Sequence, residues 1–181
     1  GVVPQTLWTY KEVGHTQEAK EELLKYVSFE NTENVLNSVK PTRLIDKILQ
    51  IGTREEEENI VLDFFAGSGP TAVSVLKRNS KNKLNTKYLL VQFPETLPTP
   101  EEKVKKIGDL ARSRIKNFIK EINDSNIDLG YKFLTLSKSN FKNWKNLDEK
   151  NIDNLEKLFE KFENPLVHNW NTVNLIYEII L

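Results

Sequence analysis

Seven consecutive residues, Asp63-Phe64-Phe65-Ala66-Gly67-Ser68-Gly69, concentrate the chemistry of this chain. The apolar run Ile60-Val61-Leu62 leads into them, and Thr71 to Arg78 follows with Ala72, Val75 and Leu76 on one helical face. A glycine turn between a strand and a helix tolerates positive φ, lets a ligand approach the backbone, and aims helix-terminal N–H groups outward. Such a turn suits a small polar or anionic molecule. Gly67-x-Gly69-x-x-Ala72 also satisfies the dinucleotide pattern G-x-G-x-x-G/A, so a nicotinamide- or flavin-binding domain is one open reading. A P-loop is excluded, because no Gly-Lys-Ser/Thr triplet follows the glycines and a phosphate would lack its lysine.

Composition narrows the remaining chemistry. The 181 residues suffice for one domain with an appended subdomain. At 38% hydrophobic and 29% charged, the chain reads as globular. There is no cysteine, and His15 and His168 stand far apart, so neither disulfides nor a metal site is expected. No apolar run is long enough to span a membrane and no signal peptide is visible, so the expected location is cytoplasmic. The chain has no methionine and opens on Gly1-Val2-Val3-Pro4, from which we expect an internal fragment. The 26 basic and 26 acidic residues cancel, whereas a self-sufficient DNA-binding domain carries a basic excess. Most of any grip on DNA is therefore expected elsewhere.

The elements that must position the glycine turn follow from periodicity. Residues 1–14 show no period. Ala19, Leu23 and Tyr26 predict a helix from Thr16 to about Val27, with Thr16 as N-cap. Leu44, Ile45, Ile48 and Leu49 predict another over Thr42 to Ile51, opened by Pro41 and closed by Gly52. Strands are predicted at Ile60 to Phe65 and Lys87 to Phe93, and a long helix from Glu101 to Ile122 turns Val104, Ile107, Ala111, Ile115, Phe118 and Ile122 inward. Beyond a turn come a strand over Tyr131 to Leu136, a helix over about Asn151 to Phe162 stopped by Pro165, and an apolar, helical tail over Asn174 to Leu181. Strand, helix, strand, helix with short connections predicts an α/β fold with parallel strands and crossover helices. The expected division is a leading segment and helix (1–30), a ligand-binding part (31–128) and a small C-terminal α+β extension (129–181).

An acidic residue at the strand end, then aromatics, then the glycines, resembles the cofactor motif of DNA amino-methyltransferases. The resemblance implies a Rossmann-like S-adenosylmethionine-dependent fold in which Asp63, Phe64, Phe65, Ala66, Gly67, Ser68 and Gly69, with Thr71, bind the methyl donor. A sulfonium, an amine and a carboxylate want an acidic side chain, backbone donors and an aromatic wall together. A pyrophosphate would not want Asp63. Lys40-Pro41 is similar to the lysine-proline segment that lines the donor's amino-acid end in circularly permuted members. Many relatives place a glutamate at the end of the second strand to accept both ribose hydroxyls. Gln92 occupies that place here and Glu95 follows shortly after, so the ribose partner is Gln92 or Glu95.

Two further stretches resemble the modification subunits of type III restriction systems: Leu7-Trp8 through Gly14-His15-Thr16-Gln17-Glu18-Ala19, and Leu129-Gly130-Tyr131-Lys132-Phe133 with Ser139-Asn140-Phe141 and Trp144. The region from Ser139 to Trp144 is read as a packed turn in which Asn140 holds backbone, and His15 as a satisfied polar side chain rather than a base. The family accepts the adenine amine's protons with an Asp-Pro-Pro-Tyr type motif that also stacks the flipped base. No Pro-Pro dipeptide occurs here, so no catalytic residue is expected in this chain and it should be inactive alone. The implied whole protein is a site-specific adenine methyltransferase acting on double-stranded DNA, partnered by a restriction subunit and itself dimeric. Two alternatives stay open: an interaction scaffold docking the restriction subunit or a second copy, and a nicotinamide-binding Rossmann domain.

Overall fold

A computed structural model describes residues 3–34, 38–54, 57–99, 101–122, 128–143 and 163–181. The chain forms two compact units, Gly1–Lys132 and Phe133–Leu181. In the first, a single helical turn α1 (Tyr10–Val13) precedes α2 (Thr16–Leu24), α3 (Thr42–Gly52), β1 (Ile60–Asp63), α4 (Pro70–Asn82), β2 (Lys87–Leu90) and α5 (Ile107–Ile122). The second contains α6 (Thr172–Ile180). No helix among the described residues is long and apolar enough to cross a membrane.

The parallel α/β reading holds in its coarse form. β1 and β2 pair in parallel, Ile60 opposite Lys87 and Asp63 opposite Leu90, with α4 as the connection between them. Alternation gives the sheet two different faces. Tyr88 and Leu90 pack onto a cluster of Ala72, Val73, Leu76, Ile115 and Phe118 from α4 and α5. Ile60, Leu62, Leu89 and Val91 remain exposed on the other face. A second cluster, Ala19, Leu23, Val27, Val39, Leu97, Val104 and Leu110, seats α2 against the start of α5.

Several boundaries differ from expectation for identifiable reasons. Thr16 does not cap α2: the ring of His15, one residue earlier, accepts the Glu18 N–H at Nδ1 over 3.1 Å, and Thr16 becomes the first helical residue. His15 is thus a satisfied polar side chain. β1 stops at Asp63 because the glycine turn begins at Phe64, and β2 stops at Leu90. The long helix begins at Ile107 rather than Glu101. Glu101 Oε1 accepts instead from Asn34 Nδ2 and the Asn31 N–H, while Asp109 Oδ2 takes the N–H groups of Lys105 and Lys106 as the helix opens. The predicted strand over 131–136 is absent. That stretch is irregular, with Leu134 and Leu136 exposed, while Tyr131 folds back with Leu129 onto the α4–α5 cluster. The helix expected over 151–162 lies outside the described residues.

In the second unit Asn140 does hold backbone. Its buried side chain accepts the Asn171 N–H at 3.2 Å and donates to Glu178 at 2.9 Å. Asn171 in turn caps α6 by accepting the N–H groups of Val173 and Asn174.

Candidate cofactor site

The glycine turn is built by hydrogen bonds from both strand ends. Asp63, the last residue of β1, accepts the Phe65 N–H at Oδ1 (3.0 Å) and the Thr71 hydroxyl at Oδ2 (2.6 Å). One carboxylate therefore ties the start of the turn to the start of α4. From the β2 side, the Val91 carbonyl accepts the Ala66 N–H at 3.1 Å and Gln92 Oε1 accepts the Gly67 N–H at 2.7 Å. Gln92 Nε2 donates onward to the Phe93 carbonyl. The Gly69 N–H closes the turn on the Ala66 carbonyl at 2.8 Å.

The two glycines answer different demands. Both are left-handed, with φ of 53° at Gly67 and 75° at Gly69. A Cβ on Gly67 would meet nothing nearer than the Phe65 carbonyl at 3.8 Å, so this side of the turn is open. A Cβ on Gly69 would lie 3.2 Å from Ala111 Cβ, because α5 passes directly behind the turn. Phe64 and Phe65, 60% and 89% exposed, stand edge to face at the mouth with ring centroids 6.3 Å apart. Both rings therefore stand outside the buried core. Ala66, Ser68 and Thr71 are buried.

The other candidates fall into two groups. Pro41 is buried where Gly14 meets it: a Cβ on Gly14 would lie 2.9 Å from Pro41 Cβ. Arg43 reinforces that junction, donating to the Tyr10 and Lys11 carbonyls and pairing with Glu18 at 3.2 Å. The carbonyl of Thr42, immediately after Pro41, accepts from Ser74 Oγ of α4 at 3.1 Å, so the 40–42 segment is fastened to the helix the turn opens. Lys40 and Glu95 are exposed, and their side chains make no hydrogen bond among the described residues. Glu95 is held through its backbone, its carbonyl accepting the Ile107 N–H as α5 begins.

Behind the turn stands a group the motif reading did not single out. Arg114 of α5 is 0% exposed, donates from Nη1 to Ser68 Oγ at 3.3 Å, and sets Nη2 3.5 Å from Glu22 Oε2 of α2. Burial pushes its pKa down, and the Glu22 carboxylate opposes that shift. Its signal lay in the periodicity: Arg114 is the one charged residue on the arc that carries Ala111, Ile115 and Phe118 inward.

Residues 1–132 match the family model for DNA methylases of the N6/N4 methyltransferase type, and the chain belongs to that family. Within it, the chain is 31% identical over 129 residues to the Mod subunit of the type III restriction-modification enzyme StyLTI of Salmonella typhimurium, an alignment covering 66% of this chain and 19% of that protein. It is 33% identical over 117 residues to the EcoP15I Mod subunit of Escherichia coli, covering 62% and 17%. With the EcoPI Mod subunit of Escherichia phage P1 it shares 28% over 138 residues, covering 72% and 20%. The matches thus span at most a fifth of these relatives' length.

Proposed function

We propose that this chain is the donor-binding portion of a site-specific DNA adenine methyltransferase of type III modification-subunit kind. The observation that carries the reading is the doubly anchored turn: Asp63 ties it to α4, Gln92 ties it to β2, and its open side faces outward at Gly67. That fit is to a small ligand with mixed charge. The acidic residue is engaged within the turn, exposed aromatic faces flank it, and α4 begins there with N–H groups that no preceding helical turn uses. In this reading residues 63–69 and Thr71 hold S-adenosylmethionine, Lys40 and Pro41 line its amino-acid end, and Gln92 or Glu95 receives the ribose. When bound, the cofactor supplies an electrophilic sulfonium methyl group. The chain's own part is to bind and orient, which is where proximity and alignment supply rate.

Transfer to the adenine amine would belong to the whole protein, together with its contact to double-stranded DNA, its restriction-subunit partner and its dimerisation. The chain by itself holds the donor without turning it over, since no Pro-Pro dipeptide is available for the Asp-Pro-Pro-Tyr motif. Isothermal titration with S-adenosylmethionine and S-adenosylhomocysteine tests the reading directly. Binding by the chain that Asp63→Ala abolishes is the expected result. Thermal stabilisation by NAD and not by either sulfur ligand would favour the nicotinamide alternative instead.

A second reading applies to the unit Phe133–Leu181. Val173, Ile176, Ile179 and Ile180 of α6 are all exposed, which favours a docking role for this tail toward the restriction subunit or a second copy. Deleting 164–181 should then cost subunit association and leave donor binding in place.

A further inference from the structure

A fully buried guanidinium is costly, and it persists only where its partners justify it. Arg114 is such a group, and its partners lead in two directions. On one side Nη1 reaches Ser68 Oγ inside the glycine turn. On the other, Nη2 faces Glu22, whose Oε2 accepts the Thr42 N–H at 3.0 Å and whose Oε1 accepts the Thr42 hydroxyl at 2.8 Å. Thr42 directly follows Lys40-Pro41, and its carbonyl takes Ser74 Oγ of α4. A continuous polar path therefore runs from the turn through α5 and α2 to the start of α3, and returns to α4. Arg114 Nε and Nη2 make no hydrogen bond among the described residues, so Nη2 meets Glu22 as an ion pair and the group is not placed here to maximise its own pairing.

We propose that the Arg114–Glu22 pair is a positioning element that holds the glycine turn and the 40–42 segment in one register, so that both halves of the donor site are presented together. The proposal rests on the reading of these two segments as one donor site. Neither residue touches the open side of the turn. Glu22 acts through Thr42, and Arg114 acts through Ser68. An apolar side chain at 114 would match the buried arc of Ala111, Ile115 and Phe118 on α5, and it would leave the two segments uncoupled.

The test removes both charges together, so that neither is stranded. In the double variant Arg114→Met/Glu22→Gln, the glutamine amide can still accept from the Thr42 N–H and donate to its hydroxyl, and the fold should survive with a thermal midpoint near that of the unaltered chain. Amide hydrogen exchange at 66–69 and 42–44 is then expected to quicken roughly tenfold, and S-adenosylhomocysteine affinity to fall by a similar factor, the scale of one lost charged hydrogen bond. Arg114→Lys, which keeps the charge without the fork that spans two partners, should fall between. A folded double variant with unchanged exchange at both segments would overturn the proposal. If the unaltered chain binds no S-adenosylhomocysteine, the donor-site reading fails, and the exchange measurement still decides whether the pair couples the segments.

Discussion

The backbone N–H of Gly67 donates to Oε1 of Gln92 across 2.7 Å, so the side chain at the end of the second strand is engaged in shaping the glycine turn. This bears on the ribose. A carboxamide whose oxygen is held by the turn and whose nitrogen goes to the Phe93 carbonyl keeps one lone pair and one N–H, so it cannot accept from both hydroxyls as a carboxylate can. Glu95, exposed and pinned by its backbone to the start of α5, keeps both carboxylate oxygens available. Gln92→Ala should therefore weaken S-adenosylhomocysteine and its 2′,3′-dideoxy analogue alike, by about tenfold as expected for one orphaned part-buried donor. Glu95→Gln should weaken only the ligand that carries the hydroxyls. Isothermal titration of both ligands against both variants separates the roles, and a hydroxyl-dependent loss in Gln92→Ala would return the ribose to Gln92.

Gly69 invites a stability measurement. Alanine there meets two obstacles, the left-handed φ of 75° and the approach of Ala111 Cβ at 3.2 Å. The backbone term alone costs about 1–2 kcal/mol for a residue with a Cβ. Gly69→Ala should lower the unfolding free energy read from urea denaturation by that much or more. Measured against the single variant Ala111→Gly, which carries its own helix-interior cost of about 1 kcal/mol, Gly69→Ala should cost the φ part alone. No remaining cost would mean that the backbone at Gly69 is less constrained than its geometry requires.

The glycine turn was legible in the sequence because its core is local: a strand end, an acidic residue, two glycines and a helix start lie within one short stretch, although the anchors from Val91 and Gln92 are not. The same holds for α3 and α4, whose apolar periods are intact. What escaped the periodic reading depends on partners distant in sequence. The onset of α5 moved because the Glu101 carboxylate is claimed by Asn31 and Asn34. The 131–136 stretch has strand-forming residues, but Tyr131 is taken by the α4–α5 cluster and no ladder forms. Arg114 was visible as a charge on an apolar arc, yet nothing nearby in the sequence announces Glu22 as its counterpart.

Acid should find the Asn34–Glu101 junction. Hydrogen bonds from Asn34 Nδ2, then from the backbone around Glu30 and Asn31, hold the Glu101 carboxyl below its ordinary value of 4.5. A carboxyl with a lowered folded-state pKa contributes stability above its unfolded value and loses it as the pH falls through the folded one. Glu101→Gln should therefore be less stable than the unaltered chain at neutral pH. The gap should narrow as the pH drops below about 4.5, where the unfolded chain's carboxyl takes up its proton first, and the loss is complete once the native carboxyl protonates at its lower pKa. Chemical denaturation across that range reads the effect, and a gap that stays constant with pH would assign the contribution to shape rather than charge.

Glu178 governs the second unit in a comparable way. Its carboxylate accepts from the Ser139 hydroxyl, from the Asn140 N–H at 2.8 Å and from Asn140 Nδ2 at 2.9 Å, and these bonds hold its pKa down. Asn140 links this carboxylate to the cap of α6 through the Asn171 N–H. Asn140→Asp removes the amide donor and sets a second negative charge against the first, while Asn140→Ala removes only the bonds. Both should speed hydrogen exchange in 172–181, the aspartate more at neutral pH, and acidification toward the carboxylate range should bring the two variants together. Exchange within β1 and β2, and the affinity for S-adenosylhomocysteine, should stay unchanged in both, because every bond named here lies within Phe133–Leu181. Loss of donor affinity in Asn140→Ala would show that the second unit supports the first, which none of these bonds provides for.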